Sequence, residues 1–250
     1  MNENRFDGKG KIYAQARPHY PTALFDRLQK EGIVTAQSVV ADVGAGTGIF
    51  SRQLRTIAAR VYAVEPNASM RAAAEDACRG DEGIVPVNAS AEHTGLPDGA
   101  VDCVTAAQAF HWFDRDAFCA ECRRILRPSG HVVLVWNDRD ESAPVIQEHA
   151  KVNARWCAGY RGFTAGADIA EAEQFTDFFR GAYAVWQFEN EVCYDLDGLI
   201  RRSLSSSYAP REGDAAYQPY VEAITDLFRQ YGREGWLRYP YITRCYVGRV

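Results

Sequence analysis

A glycine-rich turn is the feature with the clearest chemical use. In the segment VVADVGAGTG, Gly44, Gly46 and Gly48 follow a short apolar run. Glycine has no β-carbon, so the backbone there can turn tightly and approach a ligand closely. The helical pattern IFSRQLRTI that follows would offer free N–H groups to an anionic group such as a carboxylate. The GxGxG spacing differs from the GxGxxG of a dinucleotide pyrophosphate site, which argues against that ligand.

Three further segments with side chains that could bind a ligand follow predicted strands. Glu65 ends the run VYAVE, where a carboxylate can accept hydrogen bonds from both hydroxyls of a ribose. Met70 could lay its thioether against an adenine ring. Residues 88–92 (NASAE) offer groups for the edge of the adenine, and residues 108–114 (QAFHWFD) form an aromatic loop. Because open α/β sheets bind ligands at the carboxyl ends of parallel strands, we expect these segments to form one site.

The elements that must position these residues are predicted from hydrophobic periodicity. Short β-branched runs alternate with helical patterns, which is typical of an α/β fold with a parallel sheet. Strands are predicted at Ser38–Val43, Arg60–Val64, Ile84–Val87, Val101–Ala106 and His131–Trp136. Helices are predicted between them at Ile49–Ala58, Ala68–Arg79 and Arg115–Leu126. Residues 126–130 (LRPSG) are predicted to end the last helix and turn the chain into the next strand.

The regular alternation breaks after Asn137. Helical patterns at Ala143–Cys157 and Ala170–Phe179 flank a glycine-containing loop. A strand at Ala184–Val192, helices at Leu196–Leu204 and Ala215–Tyr231, and a final strand at Trp236–Val250 are predicted to follow. Residues 195–233 are thus predicted to be a helical insertion between two late strands, a candidate lid over the site.

Composition limits the classes of function. The chain has 250 residues and a formal net charge of −5, which argues against electrostatic capture of nucleic acid. Neither a signal peptide nor an apolar run long enough to cross a bilayer is visible. The seven cysteines are scattered, which suggests reduced thiols and a cytoplasmic protein. Cys119 and Cys122 are interpreted as packing residues of a helix rather than metal ligands, and no metal site is predicted.

Several segments carry a family resemblance. VVADVGAGTG, AVEPNASM, NASAEHTGLPDGAVDCV and AFHWFD, in this order and spacing, resemble the class I methyltransferases that use S-adenosylmethionine (SAM). KIYAQARPHYPTALFDRL, LIRRSLSSSYAP and ITRCYVGRV are similar to the small-molecule branch related to trans-aconitate methyltransferase. The resemblance implies a single domain over residues 1–250, with cofactor-covering helices in residues 1–37. It also implies a Rossmann-like, mostly parallel seven-stranded sheet whose last strand is antiparallel and lies beside the fifth.

The same resemblance implies SAM as the cofactor and assigns roles to residues. The predicted cofactor-binding residues are Tyr13, Arg17, Asp42, Gly44, Ala45, Gly46, Gly48, Glu65, Pro66, Met70, Ser90, Ala91, Glu92 and Gln108. The predicted substrate-binding residues are Phe110, Trp112, Arg201, Arg202 and Tyr208, and His111 is the catalytic candidate. Either arginine could hold an anionic acceptor, and His111 either shapes the pocket or accepts a proton.

The resulting prediction is methyl transfer from SAM to a small-molecule acceptor, with a carboxylate as one candidate. No nucleic-acid or membrane partner is expected. Two alternatives stay open at this point: a nicotinamide-dependent oxidoreductase on a similar sheet, and a non-catalytic SAM-binding module. The glycine spacing argues against the first. The second would bind SAM without forming S-adenosylhomocysteine from any acceptor.

Overall fold

Strands and helices alternate along the chain in a computed structural model that describes residues 18–163, 175–179 and 181–250. The strands are β1 (Val39–Val43), β2 (Arg60–Val64), β3 (Ile84–Val87), β4 (Val101–Ala107), β5 (Leu126–Arg139), β6 (Ala184–Tyr194) and β7 (Leu237–Gly248). The helices are α1 (Thr22–Lys30), α2 (Ile49–Arg55), α3 (Ala68–Ala77), α4 (Arg115–Ile125), α5 (Pro144–Trp156), α6 (Leu196–Leu204) and α7 (Tyr217–Tyr231). A short 3-10 helix at Phe110–Trp112 follows β4.

The strands form one seven-stranded sheet in the order β3-β2-β1-β4-β5-β7-β6. The strands β1 to β5 are mutually parallel, and β7 runs antiparallel to both of its neighbours, β5 and β6. The residues of the central strands are almost all buried, as expected of a sheet covered on both faces. The predicted Rossmann-like architecture, with its last strand antiparallel beside the fifth, is confirmed.

Three apolar clusters hold the layers together. One face of the sheet packs against α1 and α2, with Leu24 and Leu54 fully buried. The other face packs against α4 and a group of aromatic rings that includes Phe110 and Trp136. The third cluster joins α5, α6 and α7 to β7 through residues such as Leu199. These three helices therefore cover the part of the sheet that extends beyond the parallel strands.

Two sequence-based boundaries differ from the structure. The predicted turn at residues 126–130 lies inside β5, where Leu126 pairs with Val101 and His131 pairs with Cys103. The extra residues between these pairs form a bulge, which accommodates a proline and a glycine without ending the strand. The predicted helix Ala170–Phe179 is described only from Phe175, and there the chain forms a turn, with Phe178 N–H donating to the Phe175 carbonyl at 3.1 Å.

The strand β5 is also longer than predicted. It continues through Asn137 to Arg139 because β7 pairs with it as far as Arg139 and Tyr241. Cys119 and Cys122 are buried on the core side of α4. Within the described ranges, no helix is both long and apolar enough to cross a bilayer.

Candidate active site

A cavity of about 190 Å³ lies where β1, β2 and β4 end and β5 continues. The residues that follow each strand form its wall, as expected at the carboxyl ends of parallel strands. Pro18 and Tyr20 close one side, and α6 contributes Arg202 from another. The predicted site residues that the cavity brings together are Asp42, Gly44, Ala45, Gly46, Glu65, Pro66, Met70, Gln108, Trp112 and Arg202.

The glycines of the turn are required for different reasons. Gly44 and Gly46 both have left-handed backbone, with φ of 70° and 56°. A β-carbon on Gly44 would lie 2.5 Å from the Ala109 β-carbon, so this position needs glycine for packing. A β-carbon on Gly46 would meet no atom within 4 Å. Gly48 does not line the cavity and packs against Ala74 of α3.

Glu65 connects the end of β2 to the glycine turn. Its carboxylate accepts hydrogen bonds from the backbone N–H groups of Gly46 and Asn67, each at 2.9 Å. Glu65 also lines the cavity. Glu65 therefore orders the turn and presents a carboxylate, a group that accepts hydrogen bonds, at the cavity wall.

Asp42 lines the cavity from the end of β1 but is almost fully buried. Its two carboxylate oxygens accept hydrogen bonds from the hydroxyls of Ser51, at 2.5 Å, and Thr105, at 2.8 Å. Burial raises the pKa of Asp42 to about 6, although both hydroxyls oppose the rise. Asp42 thus supplies a charge that changes within the physiological pH range.

Gln108 forms the bend between β4 and the 3-10 helix. It has a left-handed backbone (φ 59°), which is uncommon for a residue other than glycine. Two contacts hold it there: its N–H donates to the Val135 carbonyl at 2.8 Å, and its side-chain amide donates to the Asn137 carbonyl at 3.0 Å. Strain of this kind clusters at ligand sites, and Gln108 lines the cavity.

Asn137 links four parts of the chain beside Gln108. Its side-chain oxygen accepts hydrogen bonds from Thr243 of β7 and from Asn190 of β6. Asn190 in turn donates to the His19 carbonyl at 2.8 Å, next to the Pro18–Tyr20 wall. Asn137 therefore connects the end of β5 to β6, to β7 and to the Pro18–Tyr20 wall of the cavity.

Arg202 of α6 and Tyr241 of β7 form another part of the cavity wall. Arg202 projects from α6 and is only 4% exposed, and its Nε donates to the Tyr241 hydroxyl at 3.2 Å. An arginine remains protonated in proteins, so this wall carries a buried positive charge. Of the two predicted arginines, Arg202 is the one at the cavity, since Arg201 is exposed on the other side of α6.

Other predicted residues lie away from the cavity wall. Phe110 is in the core against Trp136 and Phe175, with ring centres 6.3 Å and 5.7 Å away. His111 is half-buried, with its ring 4.8 Å from the ring of Trp112. Tyr208 packs against Tyr160. Ser90, Ala91 and Glu92 form the turn after β3 and do not line the cavity, and Tyr13 and Arg17 lie outside the described residues.

The cavity also contains residues that sequence reasoning missed. Asn67 caps α3, with its side chain accepting from Met70 N–H at 3.0 Å. Asn137 stands where β5 leaves the parallel part of the sheet, so the strand-end rule applied to the other segments would have found it. No sequence pattern indicated Tyr241, because its position at the cavity depends on how β7 pairs with β5.

Comparison with known proteins agrees with this geometry. Residues 41–134 match the family model described as a methyltransferase domain. The matched segment contains the glycine turn, Glu65 and Gln108, whereas Arg202 and Tyr241 lie outside it. The match favours methyl transfer over the nicotinamide-dependent alternative.

Individual relatives of the chain extend the comparison. The chain is 33% identical over 150 residues to an uncharacterized methyltransferase-like protein of Schizosaccharomyces pombe, covering 58% of this chain and 56% of that protein. It is 36% identical over 147 residues to an uncharacterized methyltransferase of Mycobacterium tuberculosis, covering 57% of this chain and 56% of the relative. The matches thus span just over half the length of these relatives.

Solved structures match over more of the chain. A candidate type II methyltransferase from Anaeromyxobacter dehalogenans is 27% identical with a TM-score of 0.70, covering 93% of this chain and 97% of the other. A candidate methyltransferase of antibiotic biosynthesis from Anabaena variabilis is 19% identical with a TM-score of 0.59, covering 92% of this chain and 98% of the other. The second likeness concerns the fold alone.

Proposed function

We propose that this protein transfers the methyl group of SAM to a small-molecule acceptor, with a carboxylate as the candidate acceptor group. The observation that carries the proposal is the two-sided cavity. The methyltransferase domain supplies one side, through the glycine turn and Glu65. The buried guanidinium of Arg202 supplies the other side.

The residues of the first side fit SAM. The open space beside Gly46 gives a ligand access to the backbone of the turn. Asp42 offers negative charge beneath the turn, suited to the ammonium group of the methionine part. The lone pairs of Glu65 suit the two ribose hydroxyls, and Met70, which lines the cavity, suits the face of the adenine.

Methyl transfer places simple demands on the protein. SAM supplies a methyl group already activated by its positive sulfur, so the S–CH₃ bond breaks as the acceptor–CH₃ bond forms, and sulfur keeps the electron pair. The protein must hold the acceptor atom at about 3–3.5 Å from the methyl carbon, in line with the S–CH₃ bond, and it must exclude water. Gln108, Trp112 and Asn137 also line the cavity and can provide that alignment.

A carboxylate acceptor fits the part of the wall that contains Arg202. It is already deprotonated at neutral pH and needs no general base. Arg202 could bind one of its oxygens and direct the other toward the methyl group. The sequence-based alternative is a hydroxyl acceptor with His111 as its base, but His111 lies beside Trp112 and does not line the cavity.

The helices α6 and α7 support a role for residues 195–233 as a lid. They pack with α5 on β7 and carry Arg202 to the cavity. Opening of this layer would admit the acceptor, and closing would remove water from the reacting atoms. The proposal includes a function similar to that of trans-aconitate methyltransferase, which the sequence resemblance implies.

The test combines binding and turnover. Isothermal titration should show binding of SAM and none of NAD. S-adenosylhomocysteine should form when small carboxylic acids are added, and not with the matching alcohols or amines. Binding of SAM with no product from any acceptor would support the non-catalytic module instead. Turnover of alcohols but not of carboxylic acids would reject a carboxylate as the acceptor group. His111 would then be the residue to test as the base.

A further inference from the structure

The Pro18–Tyr20 wall of the cavity is held in place by side-chain amides from three different elements. Gln53 belongs to α2, Asn137 to the end of β5 and Asn190 to β6. Among the residues that the structure describes, Asn137 lines the cavity, whereas Gln53 and Asn190 do not. The position of the wall therefore depends in part on two residues that lie outside the cavity.

The three amides converge on one peptide unit, the one between His19 and Tyr20. Its C=O accepts hydrogen bonds from Asn190 Nδ2 at 2.8 Å and from Asn137 Nδ2 at 3.4 Å. Its N–H donates to Gln53 Oε1 at 3.0 Å, and Gln53 Nε2 donates to the next carbonyl, that of Tyr20, at 2.7 Å. Because a peptide unit is planar, contacts at both of its ends fix the orientation of the whole unit.

Asn137 and Asn190 approach this peptide unit from the face of the sheet that packs against α1 and α2. Alternate residues of a strand share a face, and each amide lies two residues after an apolar residue of that face, Val135 or Phe188. Asn190 Nδ2 also donates to Asn137 Oδ1 at 3.3 Å, and Thr243 donates to the same oxygen. The strands therefore orient both amides independently of the wall.

The two ends of the wall are held by different interactions. The Tyr20 ring is buried and packs edge-on against Phe50 of α2, with ring centres 4.7 Å apart. The His19 side chain is exposed, so the end of the wall at His19 is held through its backbone. Asn190 makes the shorter of the two hydrogen bonds to that backbone.

We propose that Gln53 and Asn190 are positioning residues for the cofactor: by clamping the His19–Tyr20 peptide unit, they keep the Pro18–Tyr20 wall in place beside bound SAM and slow its release. This inference rests on the proposed function. Neither residue lines the cavity, so both act through the backbone of the wall.

The first test measures how fast the cofactor product leaves. Labelled S-adenosylhomocysteine is bound to the protein and then chased with the unlabelled compound. Asn190→Leu removes the amide without adding charge, and Asn190→Asp keeps the shape but loses the N–H donors. Both variants, and Gln53→Leu from the other end of the peptide unit, should raise the dissociation rate roughly 5- to 50-fold, as expected when one or two hydrogen bonds are lost.

Gln187 provides the matched controls, because it is an exposed amide on the same strand as Asn190. Gln187→Leu and Gln187→Glu should release S-adenosylhomocysteine at the wild-type rate. In steady-state kinetics of the Asn190 and Gln53 variants, KM for SAM should rise by a larger factor than kcat falls. A fall in kcat with an unchanged KM for SAM would contradict a role in holding the cofactor.

Amide hydrogen exchange in the ligand-free protein separates this inference from the proposed function. Asn190→Leu leaves Gln53 intact, yet it should speed exchange of the Tyr20 N–H roughly 5- to 50-fold, because the peptide unit can rotate once its carbonyl end is released. The N–H of Ala41, in the buried strand β1, is the reference and should exchange as in the wild type. Unchanged exchange at Tyr20, or equal acceleration at Tyr20 and Ala41, would overturn the clamp.

The two measurements together assign any failure. If the wild-type protein binds neither SAM nor S-adenosylhomocysteine, the proposed function is wrong, while faster exchange confined to Tyr20 still supports the clamp. If S-adenosylhomocysteine binds but leaves the Asn190 and Gln53 variants at the wild-type rate, the positioning role is wrong and the proposed function stands.

Discussion

Gly46 faces the open cavity with its backbone in the left-handed region, so a side chain there has two effects. It strains the backbone by about 1–2 kcal/mol, and it occupies the space a ligand needs. We expect Gly46→Val to remove SAM binding measured by titration calorimetry while the protein still folds.

Gly99 provides the matched control for Gly46. Its φ is 59°, and a β-carbon there also meets nothing within 4 Å, but it lies away from the cavity. Gly99→Val should lose similar stability in urea unfolding and bind SAM normally. Normal SAM binding by folded Gly46→Val would remove the basis for placing the cofactor at this turn.

The carboxylate of Glu65 is the proposed ligand of the SAM ribose. Glu65→Ala removes the acceptor of the Gly46 N–H and the proposed ribose ligand. SAM binding should weaken by about 1–3 kcal/mol, the usual cost of losing hydrogen bonds to a charged group. Glu75→Ala, at an exposed position of α3, serves as the control. An unchanged dissociation constant would show that Glu65 does not contact the ribose.

Asp42 predicts a pH dependence. Its pKa of about 6 is raised by burial above the ordinary 3.8, so the free protein loses stability as pH rises from about 4 through 6. Cofactor binding should change in the opposite direction, because only the charged carboxylate attracts the SAM ammonium. We expect affinity to be highest near pH 7 and to fall as pH drops below 6. A flat profile between pH 5 and 8 would contradict this role.

At the scale of elements, α6 separates two neighbouring arginines. Its buried side carries Leu199, Arg202 and Ser203, and Arg201 faces solvent. Arg202→Met should lower kcat/KM for the acceptor by roughly 10-fold or more, with SAM affinity nearly constant. Arg201→Met should leave both near wild type. If the two variants lower kcat/KM equally, the effect on turnover does not depend on the buried position of Arg202 at the cavity.

Hydrophobic periodicity predicted the strands well because each is a short, self-contained apolar run. The predicted and observed bounds of β2 and β3 are identical. The end of β5 could not be predicted, since Asn137, Asp138 and Arg139 are polar and resemble a loop. Only pairing with β7, about a hundred residues later, makes them a strand.

The candidate site divides in the same way. Residues directly after a strand, such as Glu65 and Gln108, could be placed from sequence because the strand end fixes their location. Tyr241 could not, because it reaches the cavity only through the antiparallel pairing of β5 with β7. Sequence therefore predicted the part of the cavity wall at the strand ends better than the part formed by β7.

On the scale of the whole molecule, the two sides have different origins. Residues 41–134, which match the methyltransferase family model, contain the glycine turn and the ends of β1, β2 and β4 that line the cavity. The side that we propose for the acceptor is built from the end of β5, from α6 and from β7. Changes in this second part could alter the acceptor while leaving cofactor binding intact.

The central place of β7 has a consequence for how the chain folds during synthesis. Within the described residues, β6 pairs only with β7, and β5 has β7 as its second neighbour. A ribosome must therefore release residues 237–248 before β6 can join the sheet, and until then one side of β5 presents unpaired backbone groups. The parallel half can assemble early, whereas the side of the cavity that contains Tyr241 forms last. A nascent chain would thus form the glycine turn and the ends of β1, β2 and β4 before Tyr241 completes the cavity.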